Sequence, residues 1–213
     1  NTAVGSYCLD ANTTGSQNTA IGDYALSASS TGSFNTALGQ GAMLANTTGS
    51  HNVAVGTDAL VTNTTASYNT AIGRQALLAN TTGTRNTAVG YTAGGTNTTG
   101  SHNTFLGDRA GGANTTGGSN TAVGGAAMSA NTTASNNVAV GQNCMGSNTT
   151  GDVNIAMGNY ALYSNVSGSA NVAIGDDALY TTTASNSTAV GYRSLYANTT
   201  GVYNVAVGKD AMV

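Results

Sequence analysis

The chain has 213 residues; Asn (26), Thr (35) and Gly (30) make up well over a third of it, only 6% of residues are charged, and Pro, Trp and Glu are absent. Soluble domains average about 25% charged residues, and acid–base catalysis draws on clustered His, Glu, Asp or Lys. Two His, one Lys and eight scattered Asp therefore argue against an enzyme, and a net charge of −3 offers no basic patch for nucleic acid.

So polar a chain borders on disorder, yet 39% of its residues are hydrophobic, and Val, Ile, Ala and Thr without Pro suit β structure. No apolar run approaches the roughly 18 residues of a membrane span, so no membrane insertion is expected of this segment. No secretory leader opens the chain, and secretion would need a targeting segment outside it.

An internal repeat explains the composition. Asn-Thr-Ala-Val-Gly opens the chain at Asn1 and returns with small variations at Asn18, Asn35, Asn52, Asn69, Asn86, Asn103, Asn120, Asn137, Asn154, Asn171, Ser187 and Asn204. The chain consists of eleven units of 17 residues, one of 16 and a final ten. From slot 1 to slot 17 a unit reads Asn, Thr or Val, Ala, Val or Ile, Gly, two variable, Ala, Leu or Met, two variable, Asn, Thr, Thr, Gly or Ala, and two variable. Residues 1–213 form a single repeat region with no linker. Because its first residue opens a unit and its last falls within one, and solenoids normally carry caps, it is expected to be part of a longer fibrous chain.

Seventeen residues are too few for a helical repeat, which needs about 33 or more. Each unit contains two short β-like pieces, Asn-Thr-Ala-Val-Gly and the stretch around Asn-Thr-Thr. Gly in slot 5 of every unit suits a turn of positive φ or a close backbone approach. The expectation is an all-β parallel β-solenoid of about twelve coils, stacked at about 4.8 Å into a rod on the order of 60 Å long.

Strand alternation puts slots 2 and 4 on one face and slot 3 on the other. Phe105 replaces Ala in slot 3, and the nearest slots 9 on either side hold Gly94 and Gly111 instead of Leu or Met. Gain beside loss suggests volume compensation in one interior shared by slots 3 and 9. Slots 2 and 4 then face outward as a continuous apolar stripe too large for a soluble monomer. The alternative has slot 4 inward and the Ala stripe outside. Both leave an apolar stripe that favours self-association.

The units resemble the head repeats of YadA-type trimeric autotransporter adhesins, whose Asn-Ser-Val-Ala-Ile-Gly-like motif is echoed in Asn171-Val172-Ala173-Ile174-Gly175 and Asn52-Val53-Ala54-Val55-Gly56. They are also similar to repeats of phage tail fibres and large bacterial surface proteins. The resemblance implies a left-handed parallel β-roll, three chains to a head, and binding to host or matrix surfaces. The longer unit and the regular Asn-Thr-Thr insertion depart from that pattern. The implied function is a non-enzymatic, extracellular rod, the head of a cell-surface adhesin or part of a virion tail fibre. Its partners would be itself, as homotrimer or end-to-end filament, and a surface glycan or protein, with no cofactor. The alternatives are an ice-binding β-solenoid with Thr arrays and a purely structural, glycosylated filament.

Two sets of candidate residues follow. Asn12, Asn46, Asn63, Asn80, Asn97, Asn114, Asn131, Asn148, Asn165 and Asn198 recur in one column and are expected to form an amide ladder. Each is also an Asn-x-Ser/Thr glycosylation acceptor, as is Asn186, although neighbours only about 5 Å apart would crowd branched glycans. Tyr160, Tyr163, Tyr180, Tyr192, Tyr196 and Tyr203 make the final quarter aromatic and are the candidates for surface binding. The charged slots 6, 7 and 17 are expected to face solvent. His51 and His102 have no carboxylate or thiol partner in register. Cys8 and Cys144 lie eight coils apart, nearly 40 Å along the rod by about 4.8 Å per coil, too far for a disulfide.

Overall fold

A computed structural model describes all 213 residues. Each unit contributes one three-residue strand: β1 (Thr2–Val4), β2 (Thr19–Ile21), β3 (Thr36–Leu38), β4 (Val53–Val55), β5 (Thr70–Ile72), β6 (Thr87–Val89), β7 (Thr104–Leu106), β8 (Thr121–Val123), β9 (Val138–Val140), β10 (Ile155–Met157), β11 (Val172–Ile174), β12 (Thr188–Val190) and β13 (Val205–Val207). They pair in sequence order as one 13-stranded parallel sheet with no helix and no crossover. Like slots stand opposite one another throughout, as in Thr2↔Thr19, Ala3↔Ala20 and Val4↔Ile21. This is the parallel β-solenoid that the repeat predicts.

The second expected strand is not there. The Asn-Thr-Thr stretch forms bends, and its β-like look comes from Thr stacked in register. Its backbone still bonds from coil to coil, as in Thr47 N to Thr64 O at 2.9 Å. Of 146 backbone hydrogen bonds only 24 lie within the strands, so the turns hold the coils together more than the sheet does. The 16-residue unit drops its residue in this bend: Thr182 occupies slot 12, with its N–H bonded to Leu179 O, and β11 and β12 stay in register.

Each coil turns at four positions of positive φ, slots 5, 7, 9 and 17. Slot 5 glycines have φ between 125° and 138°, a region closed to other residues. A Cβ on Gly39 would lie 2.7 Å from the carbonyl carbon of Gly56 in the next coil, so the column also needs the missing side chain for stacking. Slots 7 and 17 take left-handed conformations in whatever residue sits there, among them Tyr24, Arg109 and His51. Slot 9 does so with Leu or Met, at φ of 49° to 55°. That conformation costs about 1–2 kcal/mol for a residue with a Cβ. Full burial of Leu or Met returns about 1.5–3 kcal/mol, and the slot 9 N–H donates to the next coil, as Leu26 N does to Ala42 O at 3.0 Å. Burial therefore outweighs the local strain.

Slots 3, 8 and 9 form one continuous core, from Leu9 and Ala20 to Leu195 and Ala206. The Phe105 compensation is visible there. A Cβ on Gly94 would lie 2.6 Å from Phe105 Cδ2, and one on Gly111 would overlap the same ring from the other side. One phenyl group occupies the space that two slot 9 side chains fill elsewhere. Slots 2 and 4 point away from this core, and the alternative with slot 4 inward is wrong.

Candidate functional site

Two columns of asparagine line the corner where the Asn-Thr-Thr bend meets the strand. In slot 12, Asn46, Asn63, Asn80, Asn97, Asn114, Asn131, Asn148 and Asn165 are fully buried. Each Nδ2 from Asn63 onward donates to Oδ1 of the preceding coil's Asn at 2.6 to 3.5 Å. The same nitrogens donate to the slot 15 carbonyl of their own coil, as Asn97 does to Gly100 O at 3.0 Å. The amide ladder is therefore present, and each amide nitrogen is consumed by it. A glycan on these eight would have to displace the interior of the coil. Asn12 and Asn198, in the outermost bends, are only half-buried, and Asn186, in slot 17, is exposed.

The ladder is interrupted near its start. Slot 12 of the second coil is Ser29, too short to reach either neighbour, and both Asn12 Oδ1 and Ser29 Oγ are buried without a partner. Buried polar atoms without hydrogen bonds are uncommon and costly.

Sequence reading did not single out the second column. The slot 1 asparagines accept at Oδ1 from the backbone N–H of slot 1 in the next coil, as Asn86 does from Asn103 at 2.9 Å. They donate from Nδ2 to the slot 15 carbonyl, as Asn86 does to Gly100 O at 2.8 Å. Gly100 O thus receives both asparagines, which satisfies both of its lone pairs. The signal was present: Asn opens every unit but one. A polar residue that regular is positioned by the fold and need not be displayed by it.

The six candidate tyrosines do not form one surface. Tyr163, Tyr180 and Tyr196, all in slot 10, stack with ring centroids 5.4 and 5.2 Å apart, and Tyr160 meets Tyr163 edge-on at 5.4 Å. The Arg193 guanidinium lies 4.5 Å above the Tyr196 ring and closes this ridge. Packing by the flanking rings raises the Tyr180 phenol above its ordinary value, helped by the negative charges that Tyr196, Tyr163 and Asp177 present on ionisation. Because the rings face each other, the ridge offers edges and hydroxyls outward, with few free faces for stacking on a sugar. Tyr192 sits in slot 6 beside Lys209, and Tyr203 projects alone from slot 17 with 78% of its surface exposed.

Slot 17 carries a second aromatic stack. Phe34, His51 and Tyr68 lie face to face at 4.7 and 5.0 Å, followed by Arg85 at 5.4 Å from the Tyr68 ring. His51, Tyr68 and Arg85 all occupy slot 17 by register. The coil spacing of about 4.8 Å matches the stacking distance of aromatic rings, which makes the stack foreseeable.

Every charged side chain is exposed or half-exposed, and no three His, Cys or Asp residues converge. Cys144 is buried in slot 8, donates to Ala156 O at 3.3 Å, and burial pushes its thiol up to about 12. Cys8 and Cys144 are both free thiols.

The outward face of the sheet is a regular apolar surface. Slot 4 presents Ile21, Leu38, Ile72, Leu106, Met157 and Ile174, each 38% to 45% exposed, with half-buried Val in the coils between them. Slot 2 sets Thr or Val beside it in every strand except β10, where Ile155 stands. In-register parallel pairing repeats this pattern at each coil, so the face is regular along the whole rod. Compared with known proteins, the chain matches no family model, no curated protein and no solved structure.

Proposed function

We propose that the chain is a segment of a rigid extracellular fibre, a non-enzymatic rod that assembles through the outward face of its sheet and serves surface attachment. The observation that carries this reading is the slot 4 stripe. An apolar line of thirteen residues, about 60 Å long at the coil spacing, exceeds what a soluble monomer ordinarily leaves in water. Its most economical cover is the same stripe on other copies, and the likeness to trimeric adhesin heads supports three chains in left-handed coils. The rod then displays its variable slots outward in many copies, so attachment through them is multivalent, and the host-surface glycan or protein would be met there.

The test is solution mass by light scattering across a concentration series. Three chains of 20.8 kDa are expected to travel together. Ile72→Lys with Leu106→Lys, both on the outward face, should abolish the trimer while leaving the chain folded. A wild-type chain that is monomeric throughout sinks the assembly reading.

A second reading rests on the same face. Slot 2 is Thr in eight of thirteen strands, in register with the neighbouring apolar column, and the slot 14 Thr column is exposed as well. Flat, regular ranks of hydroxyl and methyl groups suit ordered water, so an ice-binding monomer is the alternative. It predicts thermal hysteresis that Thr→Tyr changes at Thr70, Thr87 and Thr104 abolish.

A further inference from the structure

Away from the sheet, slot 10 changes character along the rod. Leu44, Val61 and Leu78 give way to Gly95 and Gly112, then Ser129 and Gly146, and finally Tyr163, Tyr180 and Tyr196. The two glycines line a notch of about 380 Å³ together with Leu78, Ser129 and Arg109. Three to five coils further on, the same slot carries the stacked tyrosine ridge.

Notch and ridge lie in one column, in different coils of the same rod. From this we infer that the slot 10 face is a second self-association surface, in which the tyrosine ridge of each of two antiparallel copies seats in the notch of the other. A half-turn about an axis across the rod reverses its direction but keeps the order of slots, so slot 10 meets slot 10 and slot 7 meets slot 7. Centring Tyr180 on the gap between Gly95 and Gly112 fixes the register, with the axis near the ninth coil. Arg109, in slot 7 of the seventh coil, then falls opposite Tyr160 and Asp177 of the second copy, in slot 7 of the tenth and eleventh. The notch and the Arg109–Asp177 pairing therefore agree in one register. Arg109 is free to serve both: its only ion pair is with the adjacent Asp108, and its side chain is 67% exposed.

The size of the contact predicts weak, reversible pairing. An aromatic side chain buries about 150 Å² or more. Two rings from each ridge, with the surfaces they cover, reach only the lower end of stable interfaces, about 1,200 Å². The surface is separate from the sheet stripe and does not rest on the reading given above; together the two would cross-link rods laterally.

Sedimentation equilibrium on the chain carrying Ile72→Lys and Leu106→Lys tests it, because the sheet face is blocked there. A reversible dimer is expected. Adding Gly95→Tyr and Gly112→Tyr should raise its dissociation constant at least about tenfold. Neither glycine has positive φ, and slot 10 carries Leu78 and Tyr163 in other coils, so these changes fill the notch without disturbing the coil. Tyr180→Ser should have the same effect from the other side of the contact. A sheet-blocked chain that is monomeric at every concentration, or a dimer indifferent to both changes, overturns the inference. If the lysines leave the wild-type mass unchanged while notch filling lowers it, the sheet reading fails and this one stands.

Discussion

Phe105 is the position where the packing logic of the rod can be tested most sharply. Phe105→Ala restores the residue that every other coil has in slot 3, yet it should be severely destabilising. The ring is fully buried, and it fills the space that Gly94 and Gly111 leave open. Truncating a buried Phe costs about 3–5 kcal/mol when the cavity cannot collapse. Here the surrounding coils are held in register by backbone bonds on both sides, which limits collapse. The reciprocal change, Gly111→Leu with Phe105 retained, should cost as much or more. Its Cβ would overlap Cδ1 and Cε1 of the ring and lie 2.8 Å from Cζ.

The triple variant Phe105→Ala, Gly94→Leu, Gly111→Leu should recover most of the loss. Both glycines already sit at φ of 58° and 59°, close to the conformation in which Leu and Met occupy slot 9 elsewhere. Urea unfolding followed by circular dichroism measures all variants, with the slope checked for constancy because long repeat arrays can lose two-state behaviour. The expected coupling is several kcal/mol in favour of the triple. Additivity of the separate losses, within about 0.5 kcal/mol, would refute shared volume as the reason for the Phe/Gly exchange.

Three further outcomes follow from the polar interior. Ser29→Asn should raise stability by about 1 kcal/mol, since the amide can donate to the orphaned Asn12 Oδ1 and accept from Asn46 Nδ2; an unchanged urea midpoint would count against the ladder as a stabilising device. Asn97→Ala should cost about 2–4 kcal/mol by leaving Asn80 Oδ1 without its donor and Gly100 O with one donor of two, and an equilibrium unfolding curve overlaying wild type would contradict it. Cys144 gives an alkaline signature. Its thiol is raised from 9.0 to about 12 by burial, so above pH 9 the unfolded chain loses a proton that the folded chain keeps. Stability therefore falls as pH rises between those values, by about 2 kcal/mol near pH 10.5. Cys144→Ala should remove that part of the pH dependence, read as the difference between the two unfolding profiles.

The 17-residue period was enough to establish a stacked solenoid, the turn at each slot 5 glycine and the outward placement of every charge, and through Phe105 it favoured a shared interior for slots 3 and 9, which the folded chain decided over slot 4 inward. Those conclusions depend only on register: in a repeat, each slot meets its own copies one coil away, so Phe105 can be weighed against Gly94 and Gly111 before any coordinate is known. The folded chain was needed wherever a residue's role depends on what crosses the coil. Asn12 and Asn198 look equivalent to Asn97 in the sequence, yet only the complete stack buries the latter and exhausts its amide. The Asn-Thr-Thr stretch looks like a strand, but its carbonyls and hydroxyls serve a corner. The six late tyrosines share a region of sequence, and the coil disperses them: slot 10 gathers three into a ridge, while Tyr192 and Tyr203 leave from other corners. Periodicity determines which residues are neighbours along the rod. The path of the chain around each coil decides which of them face the core, each other or water.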